Sequence, residues 1–153
     1  MTKRRLGTVV LLALGAVLVL SSCGGGGGSK RLTKEQYAAK ADTLCAAFNQ
    51  QVKAAGSPKT VAAIAAAYDK LLSLDRKLVA DLKKLKPPAN EEKAAARAMT
   101  LSDEQATRAA AVVAALKKND ITKASALVKE GNANSSERKT IFKQLGITAC
   151  ANS

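Results

Sequence analysis

Few side chains in this sequence could do chemistry. The chain of 153 residues has no histidine, and its three cysteines are Cys23, Cys45 and Cys150. It has no Gly-x-Ser-x-Gly motif, no paired carboxylates on an obvious cleft and no Glu-x-x-His pattern of the kind that builds a di-metal site in a helical bundle. We therefore expect neither enzymatic activity nor a bound metal or cofactor, and the positions of the cysteines become the most informative feature.

The first 22 residues have the pattern of a signal peptide. Lys3, Arg4 and Arg5 precede an uncharged apolar run from residue 6 to residue 20. As a helix, this run of 15 residues would span about 22 Å, which is less than the roughly 30 Å of a membrane hydrocarbon core. The pattern therefore predicts export of the chain rather than a retained membrane span.

The end of this segment, Leu20-Ser21-Ser22-Cys23, resembles the lipobox of bacterial lipoproteins. The resemblance implies that Cys23 carries lipid such as palmitate, becomes the first residue of the mature protein after cleavage, and anchors it to the cell membrane on the extracytoplasmic side. The alternative is an ordinary secretory signal that is cut near Ser22, with Cys23 incidental.

A glycine-rich stretch follows Cys23. Residues 24–28 are all glycine, and neither a preceding strand nor a lysine at phosphate-loop spacing accompanies them, so a nucleotide-binding loop is excluded. We expect a flexible linker with a root-mean-square span of about 15 to 18 Å. The predicted organisation is a signal peptide at 1–22, a lipidated cysteine with its linker at 23–32, and a folded domain at 33–153.

The composition is basic, but the excess charge is spread along the chain. The 25 Lys and Arg residues exceed the 12 Asp and Glu residues, which gives a formal net charge of +13. Three basic residues lie within 1–22, so the mature chain keeps 22 against the same 12 and a net charge of +10. With only two tyrosines and two phenylalanines, basic and aromatic residues are not interleaved, and we expect no nucleic-acid partner.

After residue 32 the sequence indicates an all-α fold. Apolar residues recur at three- and four-residue steps, and strand signals are nearly absent. The first helix is expected to begin at a capping box formed by Thr33 and Gln36 and to end at Gly56. The second is expected to begin with Ser57 as its N-cap and Pro58 in its first turn.

The last predicted helix runs from Asp120 and has a weak centre. Residues 131–136 are poor helix formers, so we expect a kink or a frayed turn there. Gly146 is expected to end the helix in a left-handed conformation, with Ile147 placed to touch Phe142 in a Schellman motif.

The helix ends predict the topology. Proline at 87–88 stops the second helix, and Asn90 is expected to cap the third. Long helices joined by turns of about two to four residues predict an antiparallel, up-down-up-down four-helix bundle. Thr33, Leu85 and Leu145 would then lie at the end of the bundle nearest the lipid anchor.

Seven basic residues map to this anchor end, where they could contact anionic lipid or an envelope polymer. They are Lys30, Arg31, Lys34, Lys83, Lys84, Lys86 and Lys143. The alternative is that the lysines in the last turn of the second helix simply complement the helix dipole.

Cys45 and Cys150 remain once Cys23 is assigned to lipid. In an oxidising compartment, two remaining cysteines most simply form a disulfide. Cys45 lies about 18 Å along the first helix, whereas Cys150 follows the expected end of the fourth helix by only a few residues. The bond requires either that Gly146 reverse the chain, so that the tail runs back along the first helix, or that the first turns of that helix project beyond the bundle.

The mature chain as a whole resembles small, alanine-rich, uncharacterised bacterial lipoproteins. The lipobox with Cys23 and the segments 37–45, 85–88 and 145–150 carry the resemblance. It implies an exported helical domain and assigns no activity to it.

The candidate ligand site lies near the middle of the predicted bundle. Asp75, Gln105 and Arg138 fall at one level there and could form a polar layer. Asp75 and Arg138 could instead pair loosely at the edge of the apolar stripe, or the layer could serve only to fix the register of the helices. We expect an interaction or structural module at the cell envelope that binds a protein partner. The alternative is a small-ligand binding or sensing domain, which a cavity bordered by Asp75 and Arg138 would favour.

Overall fold

The computed structural model describes residues 30–152, and every regular element in this range is a helix. The predicted all-α class is therefore confirmed for this part of the chain. The helices are α1 (Lys34–Ala55), α2 (Val61–Lys84), α3 (Glu92–Lys117), α4 (Ile121–Glu130), α5 (Asn132–Gln144) and α6 (Thr148–Ala151), with a short 3-10 turn at Ala89–Glu91 before α3. None of them is long and apolar enough to cross a membrane. The predicted signal peptide, Cys23 and the glycine run lie outside the described residues.

The start and end of α1 confirm the predicted caps. The backbone N–H of Gln36 donates to Thr33 Oγ1 at 3.3 Å, and Gln36 Oε1 accepts from the backbone N–H of Thr33 at 3.1 Å. These two bonds make the capping box that satisfies the free amides of the first turn. Gly56 follows the last turn with φ of 64°, a conformation that favours glycine.

The predicted starts of α2 and α3 are wrong by a few residues. Thr60 is the N-cap of α2, since its Oγ1 accepts from the backbone N–H of Ala63 at 3.2 Å. Ser57 and Pro58 instead belong to the connection. Asn90 lies in the 3-10 turn and α3 begins at Glu92. Ser57 and Thr60 are both good N-caps, and local capping preference does not discriminate between them. The start of α3 differs from the prediction by one residue, which is within the usual variation of assigned helix ends.

The predicted fourth helix is two helices, α4 and α5, which meet at Gly131. A Cβ atom at Gly131 would lie 3.3 Å from the carbonyl oxygen of Val128 and 3.5 Å from Cδ of Arg108. A side chain here would therefore press on the Val128 carbonyl oxygen, whereas its distance from Arg108 would be an ordinary contact. The break is confined to Gly131, because the residues that follow it are helical.

The chain reverses at Gly146 by the predicted Schellman motif. Gly146 has φ of 76°, the N–H of Ile147 donates to the carbonyl of Phe142 at 2.8 Å, and the N–H of Gly146 donates to the carbonyl of Lys143 at 3.0 Å. The reversal sends residues 147–151, which we call the C-terminal strap, back along α1.

The core lies where the strap closes against the long helices. Helix α3 contacts α2, α4 and α5, whereas α1 contacts α2 and α6, and α6 also contacts α5. The main buried cluster contains Tyr37, Ala98, Phe142 and Ile147. Ala98 is fully buried, so the small residues of α3 let its neighbours approach closely. The strap thus fills the space between α1 and α5.

Candidate functional site

A cavity of about 250 Å³ lies inside the domain. Its walls come from α1, α2, α3, α5 and the strap, and most of the side chains that line it are apolar. They include Phe48, Leu71, Leu72, Leu78, Val79 and Phe142. The cavity is slightly smaller than the roughly 300 to 1,000 Å³ of typical ligand pockets, so it suits a small molecule.

The three residues of the predicted polar layer all line this cavity. Asp75 comes from α2, Gln105 from α3 and Arg138 from α5. Ser102 also lines it, but its hydroxyl donates to the carbonyl of Ala98 at 2.9 Å and so has a partner. The structure therefore brings the predicted residues together at the wall of one partly open cavity.

Arg138 is a buried cation without a close anionic partner. Its exposed fraction is 8%, and its Nε atom has no hydrogen-bond partner in the described part of the chain. The guanidinium carbon lies 5.8 Å from the ring centroid of Phe142, within the range of a cation–π contact. Within residues 30–152, no ion pair within 4.0 Å joins Arg138 to Asp75. Burial lowers the pKa of Arg138, and the charge of Asp75 opposes that shift.

Gln105 and Asp75, the other two residues of the polar layer, also lie in unfavourable surroundings. Gln105 Oε1 is buried and has no hydrogen-bond partner among the described residues. Burial raises the pKa of the Asp75 carboxyl, and the nearby charges of Arg138 and Arg76 act in the opposite direction. The cavity wall thus offers a cation, an amide oxygen and a carboxyl whose ionised form is disfavoured.

The groups at the cavity wall could hydrogen-bond or pair with a ligand. The two cysteines at the cavity wall, Cys45 and Cys150, are joined in a disulfide and provide no thiol. In the part of the chain that the structure describes, no group of His, Cys, Asp and Glu residues could hold a metal ion.

The predicted disulfide between Cys45 and Cys150 is confirmed. Their Cα atoms are 5.2 Å apart, and the reversal at Gly146 is the route that makes the bond reachable. Two residues that the sequence analysis missed hold the same strap. Asp42 Oδ1 accepts from the backbone N–H of Ala149 at 2.7 Å, and Asn49 Nδ2 donates to the carbonyl of Ala149 at 2.9 Å. Their spacing of three and four residues from Cys45 places all three on one face of α1, which is the signal that could have found them.

The anchor-end basic residues are brought together, but most of them have acidic partners. The N–H of Leu32 donates to the carbonyl of Lys86 at 3.0 Å, and Lys34 Nζ donates to the carbonyl of Gln144 at 3.0 Å. The ion pairs are Arg31 with Glu92 at 2.8 Å, Lys34 with Glu91 at 2.6 Å, Lys83 with Asp103 at 2.6 Å and Lys84 with Asp81 at 2.7 Å. Among the described residues, Lys30, Lys86 and Lys143 have no ion-pair partner. The free positive charge at this end is therefore smaller than the sequence suggests.

Tyr68 lies at the mouth of the cavity. It lines the cavity on one side and a shallow surface groove on the other, and 43% of it is exposed. Ile121 and Val128 of α4 line the same groove and are 45% and 49% exposed.

Comparisons with protein-family models, with curated proteins and with solved structures found no significant match.

Proposed function

We propose that this chain is a lipid-anchored, extracytoplasmic binding protein whose helical domain holds a small molecule in the central cavity. One observation carries this proposal. Arg138 and Gln105 line a mostly apolar cavity, and within residues 30–152 Arg138 Nε and Gln105 Oε1 are buried without a hydrogen-bond partner. A buried polar atom left unpaired costs about 1 to 3 kcal/mol, so a ligand that reached either atom from the cavity would recover that cost.

The same groups distinguish a ligand site from a layer that only fixes helix register. If the polar layer only fixed the register of the helices, its residues would be expected to bind one another, as the partners of a buried ion pair do. Here Asp75 and Arg138 line the same cavity without a direct ion pair between them. No histidine or free thiol lines the wall, so we infer binding rather than catalysis.

We infer that the helices form an antiparallel, up-down-up-down bundle in which α4 and α5 together are the fourth member. Two contacts support this arrangement. The hydrogen bond from Leu32 to Lys86 places the start of α1 beside the end of α2. The ion pair of Lys117 with Asp69, at 2.7 Å, places the end of α3 beside the first half of α2.

The membrane anchor is supported by the sequence alone. The basic segment at residues 3–5, the apolar run at 6–20 and the lipobox that ends at Cys23 agree with one another. We propose that lipid on Cys23 and the linker at 24–32 hold the domain close to the outer face of the cell membrane. The unpaired Lys30, Lys86 and Lys143 would then be the residues that contact anionic lipid or an envelope polymer.

Ligand binding can be tested by affinity selection with mass spectrometry. The full-length chain would be made in a bacterial host that processes lipoproteins and placed in lipid nanodiscs free of detergent, which could otherwise fill the cavity. Ala109 lines the cavity and Ala114 of the same helix is exposed, so Ala109→Leu narrows the cavity and Ala114→Leu is the matched control. A panel of small apolar acids, amides, alcohols and amines should yield ligands that bind the wild type and Ala114→Leu but not Ala109→Leu. Failure of every panel member to bind the wild type, or equal binding to all three proteins, would refute the proposal.

The second candidate function is that of an interaction module that binds another envelope protein. The exposed apolar side chains of Tyr68, Ile121 and Val128 favour it, since contiguous exposed apolar surface marks protein contacts. The fitting partner is a helix with an apolar face, which would lie in the groove beside α4. Such a partner should be lost on Val128→Lys, whereas Ala109→Leu should leave it bound.

A further inference from the structure

We propose that the ligand is a small monocarboxylate with an apolar body, and that Arg138 is the residue that holds its carboxylate. This ligand class depends on the cavity being a binding site, as proposed above. It goes further by naming the charge of the ligand and the group that recognises it.

The first step concerns the state of Arg138. A guanidinium carries five N–H donors and stays charged in proteins. Within residues 30–152, Arg138 takes part in no side-chain hydrogen bond and no ion pair, although its exposed fraction is only 8%. A buried cation normally lies beside an anion. An anionic ligand in the adjoining cavity would supply the missing partner.

The second step concerns the kind of anion. The two oxygens of a carboxylate match the fork of a guanidinium, and such bidentate pairs are among the strongest hydrogen-bonded contacts in proteins. Of the described residues that line the cavity, Arg138 alone has a cationic side chain, and Asp75 is also there. A phosphate dianion would be left incompletely neutralised beside Asp75, and an amine would face Arg138. A single negative charge therefore fits best.

The third step concerns the body of the ligand. Beyond the polar layer, the wall is formed by side chains such as Leu72, Val79 and Phe142. Burial of a hydrocarbon chain against them is favourable by about 0.8 kcal/mol for each CH₂ group. The volume of about 250 Å³ excludes long acyl chains and accommodates a short one.

The test compares three probes of equal chain length, which are hexanoate, hexanamide and 1-hexanol. Binding to the full-length protein in nanodiscs would be measured by titration calorimetry against empty nanodiscs. Hexanoate should bind about tenfold to a hundredfold more tightly than either neutral probe, as expected for hydrogen bonds to a charged group. Arg138→Gln should remove this preference and leave the affinity for 1-hexanol unchanged. The control is Lys118→Gln, which removes one exposed positive charge at the C-terminal end of α3. It should leave the affinities for all three probes unchanged.

The second test looks for an increase in affinity, because a misfolded variant would lose affinity rather than gain it. Asp75→Asn removes the negative charge that faces the same space, and it should raise the affinity for hexanoate without changing that for 1-hexanol. Equal binding of the three probes to the wild type would overturn the carboxylate assignment while leaving the cavity a binding site. The assignment would also be wrong if Arg138→Gln kept the preference for hexanoate. If none of the probes bound, this assignment would be refuted, whereas ligand binding by the cavity would be decided by the wider panel described above.

Discussion

Asp42 on α1 caps α6 from outside the helix. Its Oδ1 accepts the backbone N–H of Ala149 at 2.7 Å, and its Oδ2 accepts from Thr148 Oγ1 at 3.2 Å. Helix α6 has only four residues, and Ile147 at its N-cap position makes no side-chain cap hydrogen bond. A carboxylate at this end satisfies a free amide and complements the helix dipole. The strap is therefore held by a charge as well as by the disulfide.

The first prediction concerns this cap. Asp42→Ala should lower the free energy of unfolding by about 0.5 to 2 kcal/mol, the usual cost of removing an N-cap acceptor. Asp42→Asn keeps an acceptor oxygen and should lose less. Urea denaturation measures both, with Glu130→Ala as an exposed acidic control. Equal stability of Asp42→Ala and the control would show that the contact contributes nothing.

The second prediction concerns the disulfide. Cys45 and Cys150 are 105 residues apart in the chain, and closing a loop of this size contributes about 4 to 5 kcal/mol in the chain-entropy model. The double variant Cys45→Ala, Cys150→Ala should lose stability of this order without leaving the membrane fraction. Thiol labelling of the denatured, unreduced wild type checks the bond itself. Two labelled thiols at these positions would contradict it.

The sequence predicted correctly those helix ends that are determined by residues close together in the chain. Thr33 with Gln36 and Gly146 with Ile147 are decided within one helical turn, so their motifs could be identified in the sequence. The start of α2 was not predictable in this way. Ser57 and Thr60 are both good N-caps, and the choice between them depends on how the whole helix packs.

The candidate site was predictable in part for a related reason. Long helices joined by short turns place their midpoints at one level, which was enough to group Asp75, Gln105 and Arg138. The presence of a cavity and the lack of a direct pair between Asp75 and Arg138 depend on the packing of many side chains, and no sequence period encodes packing. The role of Asp42 was missed because it required the path of the C-terminal strap.

The third prediction concerns pH. Burial holds the pKa of Asp75 above its usual value of 3.8, so the folded state binds this proton more tightly than the unfolded chain does. The stability that this group contributes is complete below the unfolded pKa and is lost as pH rises through the raised one. Asp75→Asn should therefore be more stable than the wild type near neutral pH and similar to it in acid. Thermal unfolding across this range measures the effect, and Glu130→Gln serves as the control. A wild type that is the more stable protein near neutral pH would show that ionised Asp75 stabilises the fold.

The fourth prediction concerns the anchor. Cys23→Ser removes the thiol that would carry lipid, so the lipid-modified mass should disappear and the domain should no longer be held by an acyl chain. Cell fractionation and intact mass spectrometry measure this, with Cys45→Ser as the control because that cysteine lies in the folded domain. A Cys23→Ser protein that has the lipid-modified mass and membrane partition of the wild type would show that the lipid is elsewhere.

The fifth prediction is tested by the NMR signal of the Arg138 Nε–H group, which has no hydrogen-bond partner among residues 30–152. The full-length, ¹⁵N-labelled protein in nanodiscs would be titrated with hexanoate, and Arg138→Lys would identify the signal by its loss. Ligand binding in the cavity predicts that this signal shifts and saturates together with the amide signals of Leu72 and Gln105, while the amide of Lys118 stays unchanged. If the Arg138 signal does not move while hexanoate shifts only surface amides, the cavity is not the binding site.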